Sequence, residues 1–302
     1  MNVKEWTHHP SYTRARDRVV KRFRARVYSF KRLRPVVFLC GGFDSERRIA
    51  VKGYIAKYHP DVFVFFAEQV WEHVQELVGL NALEMESQLA LLADLVVIIV
   101  ESAGTFAELG AFATSEHLRQ KLFAILDENY RTDRSFINTG PVKWLNGESR
   151  FAPVEYVDFA TILLSAKCID DRLSRIPDRG RRSTDDDVSL NQNPKHLLLL
   201  IADLITVVGP ATSDQVELMI DSILGEKPVW SVPSLLGLAA AIGLIDTKHH
   251  DGHRFYLRAM VRDDFESFQA RRMFDLAEER AKFLSAVQRI PQARQILYGG
   301  VD

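Results

Sequence analysis

"VVIIVESAGTFAELGAF", residues 96–112, decides the fold of this chain. An apolar, branched run ends in Glu101-Ser102-Ala103-Gly104-Thr105, and apolar residues then take up helical spacing. The first half reads as a buried strand and the second as a helix. "PVVFLCGG" (35–42), "DVFVFFAE" (61–68) and "KLFAILDE" (121–128) share the strand form, with helical patterns between them. Strands alternating with helices predict an α/β domain with a doubly wound parallel sheet. Ligands of such sheets rest beyond the carboxyl ends of the strands. Gly41, Gly42, Glu68, Glu101, Ser102, Gly104 and Thr105 are therefore expected to converge as substrate-binding residues. Asp94, at the head of its strand, is expected to be structural.

Glu108 admits two readings. "Thr105-Phe-Ala-Glu108" fits a capping box, with Glu108 reaching back to the Thr105 amide. Gly104 and the Glu101-Ser102 pair, which a cap does not require, point instead to a ligand resting on the turn. Spacing alone leaves both open.

The 302 residues suffice for two domains, and 47% hydrophobic with 26% charged content is that of a soluble globular protein. Two cysteines, Cys40 and Cys168, give no disulfide framework and fit a reducing cytosol. No apolar run is long enough to span a bilayer and the N-terminus has no signal-peptide layout, so a cytoplasmic protein is expected. Residues 1–34 hold eleven Lys or Arg against two acids, which leaves 28 basic and 38 acidic residues elsewhere. A basic arm on an acidic body suggests an anionic partner, with Arg22, Arg24 and Arg26 as candidate contacts. The bland alternative is a solvated surface helix.

The α/β domain is expected over 35–169, followed by a charged linker at 170–194. Three helical patterns and a hairpin signal around "HHDGH" follow within 195–302, the order of a winged helix. The third helical pattern carries no Arg or Lys, while the hairpin carries Lys248 and Arg254, further candidate partner contacts. A long amphipathic helix is expected from Asp264 to Gln288. The His-rich turn lacks a full ligand set, and no metal is expected.

In chain order "FLCGG", "ALEMESQLALLADLVVIIVESAGTFAELGAF" and "RQKLFAILDENYRTDRSFINTGPV" resemble the nucleoside 2-deoxyribosyltransferase-like effectors encoded beside bacterial retrons. The resemblance runs from Pro35 to Leu145. It implies a Rossmann-type deoxyribosyltransferase-like sheet and a winged-helix-like C-terminal domain. It also implies that Glu108 is the nucleophile and that Glu86, on the preceding helix, helps protonate the departing base. The enzymes proper carry a further Asp where this chain has Glu101 and Ser102, so cleavage is more expected than transfer to a second base. The resemblance further implies an antiphage toxin held in check by a retron reverse transcriptase and its RNA-linked DNA (msDNA). Asn138, in "RSFINTGPV", is expected either to bind substrate, directly or across a subunit contact, or to close an Asx-type turn. Self-association stays open.

The chemistry follows without the family. Breaking a ribose–base bond passes through an oxocarbenium-like centre that needs a carboxylate near the anomeric carbon. Nicotinamide leaves NAD as a neutral molecule without a general acid, whereas adenine or a pyrimidine needs protonation. The expected activity is hydrolysis of NAD, a substrate rather than a cofactor, to nicotinamide and ADP-ribose. Alternatives are an N-glycosidase or deoxyribosyltransferase acting on nucleosides, nucleotides or nucleic-acid bases, and a non-enzymatic nucleotide-sensing regulator.

Overall fold

The computed structural model describes residues 9–25, 28–30, 34–73, 82–177, 182–183, 193–250, 252–259, 268–270 and 275–291. They form two units, one from residues within 34–69 and 77–178, the other from residues within 1–33, 70–76 and 179–302. The second unit includes helix α1 (Pro10–Ala25) and strand β1 (Tyr28–Phe30). Tyr12, Ala15, Val19 and Phe23 recur at helical spacing along α1 and are buried, so this basic segment is a docked amphipathic helix.

The α/β unit is a five-stranded sheet. Its strands are β2 (Val36–Cys40), β3 (Phe63–Phe65), β4 (Leu95–Ile99), β5 (Leu122–Asp127) and β6 (Glu155–Val157). All neighbours are parallel, in the order β3-β2-β4-β5-β6. After β3 the chain therefore crosses back past β2 to lay down β4. This reversal opens a crevice between the carboxyl ends of β2 and β4, where α/β sheets hold their ligands. Between the strands lie α2 (Glu46–Tyr58), α3 (Ala67–His73), α4 (Ala82–Leu92), α5 (Ala103–Thr114), α6 (Glu116–Arg119), α7 (Phe136–Thr139) and α8 (Pro141–Glu148).

Strand parity assigns the two faces. Val37, Leu39, Leu95, Val97 and Ile99 share one core with Val51 and Ile55 of α2. The intervening residues, Cys40 among them, point to the other side, where α4, α5 and α8 pack on the sheet. Asp94 accepts the Val36 amide at 2.9 Å and its own amide donates to the Val36 carbonyl at 2.8 Å, fixing the register of β4 on β2. Residues 170–174, assigned to a linker from their charge, instead complete α9 (Ala166–Ser174). Arg172 is buried there and donates to the carbonyls of Phe151 at 2.8 Å and Pro153 at 2.9 Å. Its charge is satisfied internally, which composition does not reveal.

After the short strand β7 (Arg182–Ser183), the other unit continues with α10 (Pro194–Val208), α11 (Ser213–Leu224) and α12 (Val232–Ala241). The antiparallel hairpin β8 (Ile245–His250) and β9 (His253–Arg258) follows, with Gly252 at φ 74° in its turn. The order helix, helix, helix, hairpin is thus present. The long helix expected from Asp264 is shorter. Phe268–Ala270 form β10, paired antiparallel with β1, and α13 spans Leu276–Val287. Asp275 sets that start by accepting the amides of Ala277 and Glu278. α1 packs against α11 and α13, with Tyr12 edge-on to Phe283 at 6.0 Å.

Among the candidate partner contacts, Arg24 is exposed and Arg22 pairs with Glu279 at 3.3 Å. Arg26 lies outside the described residues. Lys248 and Arg254 are half-buried on the hairpin, and Arg254 hydrogen-bonds His249 at 3.2 Å. No helix among the described residues is long and apolar enough to cross a membrane, and they contain no group of acidic, His and Cys side chains fit for a metal ion.

Candidate active site

The turn from β4 into α5 is closed from within. Ser102 is the N-cap of α5, and its hydroxyl accepts the Thr105 amide. Thr105 Oγ1 in return accepts the amides of Glu101 at 3.0 Å and Ser102 at 2.9 Å. The capping box is therefore Ser102–Thr105, one turn earlier than the Thr105–Glu108 pattern. Thr105 is buried and its hydroxyl is engaged in the cap, so it is structural and does not line the cavity. Thr105→Val keeps the shape and removes this acceptor; we expect a loss of about 1–2 kcal/mol, read as a lower urea midpoint. An unchanged midpoint would mean that the Glu101 and Ser102 amides find another acceptor.

Freed from capping, Glu108 lies in the second turn of α5 and faces a cavity of about 220 Å³ at the crevice. Gly41 and Gly42 line it from the end of β2, Glu68 from α3, Glu86 from α4, and Ser102 and Gly104 from the α5 start. Most of the residues expected to converge do so. Cys40 and Arg48 are among the further residues of the wall. The buried Cys40 thiol stands beside Glu108, and burial followed by the charges of Glu108 and Glu86 raises its pKa. Arg48 is buried under 6% side-chain exposure, forks onto both oxygens of Glu68 and lies 4.1 Å above the Phe66 ring.

Sequence reasoning passed over Arg48, yet a signal was there. Arg47 and Arg48 sit in the first turn of α2, capped by Ser45, where cations oppose the helix dipole. Residues so placed answer to something outside their helix. Gly41 serves Arg48 as well. A Cβ there would stand 2.9 Å from Arg48 Cδ and 3.2 Å from Glu101 Oε1, so this glycine makes room for the protein's own side chains.

Three carboxylates therefore share the cavity with one guanidinium. Burial is the main cause, and the Glu86 charge the next, of a Glu108 carboxyl pushed up to about 7. The neighbouring Cys40 thiol and Arg48 oppose that rise, while Glu68 adds to it. Glu86 is raised by burial and then by Glu68. Glu108 Oε2 is buried without a hydrogen-bond partner among the described residues. Such an oxygen costs about 1–3 kcal/mol, a cost that a reacting ligand would offset.

Two expected residues lie elsewhere. Glu101 continues the odd face of β4 toward α2, where Oε1 accepts the Gly42 amide and Oε2 takes Arg47, each at 2.9 Å. Asn138 is absorbed in its own loop: Nδ2 donates to the carbonyls of Tyr130 and Asp133, and Oδ1 accepts the Tyr156 hydroxyl. Both line a neighbouring cavity rather than that of Glu108.

The chain is thus an α/β protein with a parallel sheet, and its acidic cavity lies at the reversal point where such sheets hold their ligands. Over residues 44–247 the chain matches the family described as "STM3845 retron effector protein", and it belongs to that family. It is similar to "Retron Ec73 putative ribosyltransferase/DNA-binding protein" of Escherichia coli, 29% identical over 262 residues that cover 79% of this chain and 83% of that protein. It is also similar to "Retron Ec86 putative ribosyltransferase/DNA-binding protein" of Escherichia coli, 36% identical over 122 residues, 39% of each chain.

Proposed function

We propose that this retron effector is an N-glycosidase of deoxyribosyltransferase-like fold that hydrolyses NAD to nicotinamide and ADP-ribose. One observation carries the reading: a half-buried carboxylate, not needed as a cap, presents at the sheet's reversal point an oxygen without a hydrogen-bond partner among the described residues. The relatives named as ribosyltransferases support it. In the reaction the bond from C1′ to the pyridinium nitrogen breaks and its electron pair leaves with neutral nicotinamide. Water supplies the hydroxyl of ADP-ribose and releases one proton. Glu108 meets the developing positive charge at C1′, by covalent attack or by electrostatic stabilisation. Glu68, Glu86 and Glu108 outnumber the Arg48 charge, which favours a substrate with a cationic ring.

Glu86 favours a second reading. It reaches the cavity with a raised pKa and could deliver a proton to adenine or a pyrimidine leaving an ordinary nucleoside or nucleotide. Chromatography of the bases released from NAD and from nucleosides decides between them. Nicotinamide supports the first, adenine or a pyrimidine the second, and nucleotide binding without any product sinks both.

The pH profile is a further expectation. Glu108 acts ionised, so kcat/KM should rise about tenfold from pH 6 to pH 8 with a midpoint near 7. A flat profile across that interval would exclude Glu108 as the titrating group. We further infer that a reverse transcriptase and its msDNA restrain the enzyme, with α1 and the winged-helix-like unit as the contact surfaces.

A further inference from the structure

Beside the Glu108 cavity lies a second and larger one, of about 410 Å³, at the carboxyl ends of β4 and β5. The two flank the turn into α5. Ser102, Gly104 and Glu108 face the first cavity, Glu101 and Phe106 the second. Glu101 stands between them, holding the Gly42 amide on one side and Arg47 on the other. Neither the chemistry at Glu108 nor the fold calls for a second cavity here.

Its lining is specific in character. Phe106 is 40% and Tyr130 58% exposed, and Phe159 carries the Arg47 guanidinium 4.8 Å from its ring centre. Aromatic rings of this kind stack on any base. The Asp133 carboxylate is exposed and makes no hydrogen bond among the described residues, which suits it to the hydroxyls of a ribose. Arg47 uses Nε on the Phe159 carbonyl and Nη1 on Glu101, and its side chain remains 39% exposed at the boundary of the two cavities. A phosphate crossing that boundary would meet it. Size agrees as well. A cavity of about 220 Å³ takes a ring or a sugar but falls below the roughly 300–1,000 Å³ of a complete small-molecule site, a range that the two together reach.

We propose that the second cavity seats the distal nucleoside of a dinucleotide whose scissile ribose lies over Glu108, with the diphosphate passing Arg47. The orientation rests on the glycosidase reading above; the cavity's affinity for a nucleoside does not.

The test compares nicotinamide release by the full chain from NAD and from nicotinamide mononucleotide, which has the same scissile bond and no second nucleoside. Wild type should prefer NAD by about tenfold or more in kcat/KM, and in Tyr130→Ala that preference should fall toward one through KM. Asp133→Asn, at an exposed position, should narrow the preference without risk to folding. A preference that neither substitution changes, or no preference in wild type, overturns the proposal. If neither compound loses its base, the glycosidase reading fails by itself, and calorimetric titration with AMP then judges the cavity. AMP binding weakened about tenfold by Tyr130→Ala supports it; absent binding, or binding indifferent to both substitutions, overturns it.

Discussion

Glu108→Gln protein should release nicotinamide from NAD at least about a thousandfold more slowly than wild type. The expectation is sharp because the substitution is nearly isosteric and the α5 start does not depend on it. Ser102 and Thr105 close that turn between themselves. What disappears is the negative charge beneath C1′, and with it stabilisation of a positive centre by a group already fixed in place. Equal rates would remove Glu108 from the mechanism. Glu86→Gln separates the two substrates. Nicotinamide leaves neutral, so its release should suffer little, whereas release of adenine or a pyrimidine should fall by about 10²–10⁴-fold.

The sheet could be read from sequence because its strands are buried on both faces and stand out as apolar runs. The three-residue β6 could not, since Glu155–Val157 offers too short a run. Strand order was hidden for another reason: parallel pairing is set by contacts far apart in the chain, and no local pattern encodes them. At the site, Glu108 was legible as a candidate but not as a non-cap. Ser102 and Thr105 both suit an N-cap, and only backbone geometry shows which hydroxyl takes which amide. Glu101 and Asn138 went to the neighbouring cavity because strand parity and loop hydrogen bonding, rather than proximity in sequence, aim their side chains. Arg172 shows the converse: a charged stretch reads as a linker until its buried guanidinium is found donating to backbone carbonyls.

Binding of a labelled DNA strand should fall by about sixtyfold between 50 and 200 mM salt. The two relatives are named for DNA binding as well, and two surfaces of the helical unit could supply it. α12 is poorly suited. It contains no Arg or Lys, and Val232, Leu235, Leu236, Leu238 and Ala239 along it are buried. Base edges are read by Arg, Asn or Gln, and this helix offers none of them. α1 presents the opposite character. Tyr12, Ala15, Val19 and Phe23 dock it, while Arg14, Arg18 and Lys21, at i, i+4 and i+7, share an exposed face with Arg24 close by. Four cations against phosphates give a slope of about −3 in log affinity against log salt, independent of base sequence. Each exposed Arg→Ala on α1 should lower that slope by about one unit and leave the fold intact, because the docked face is untouched. Binding that ignores salt would move the contact to uncharged protein surfaces, and the basic face of α1 would then serve only to solvate its helix.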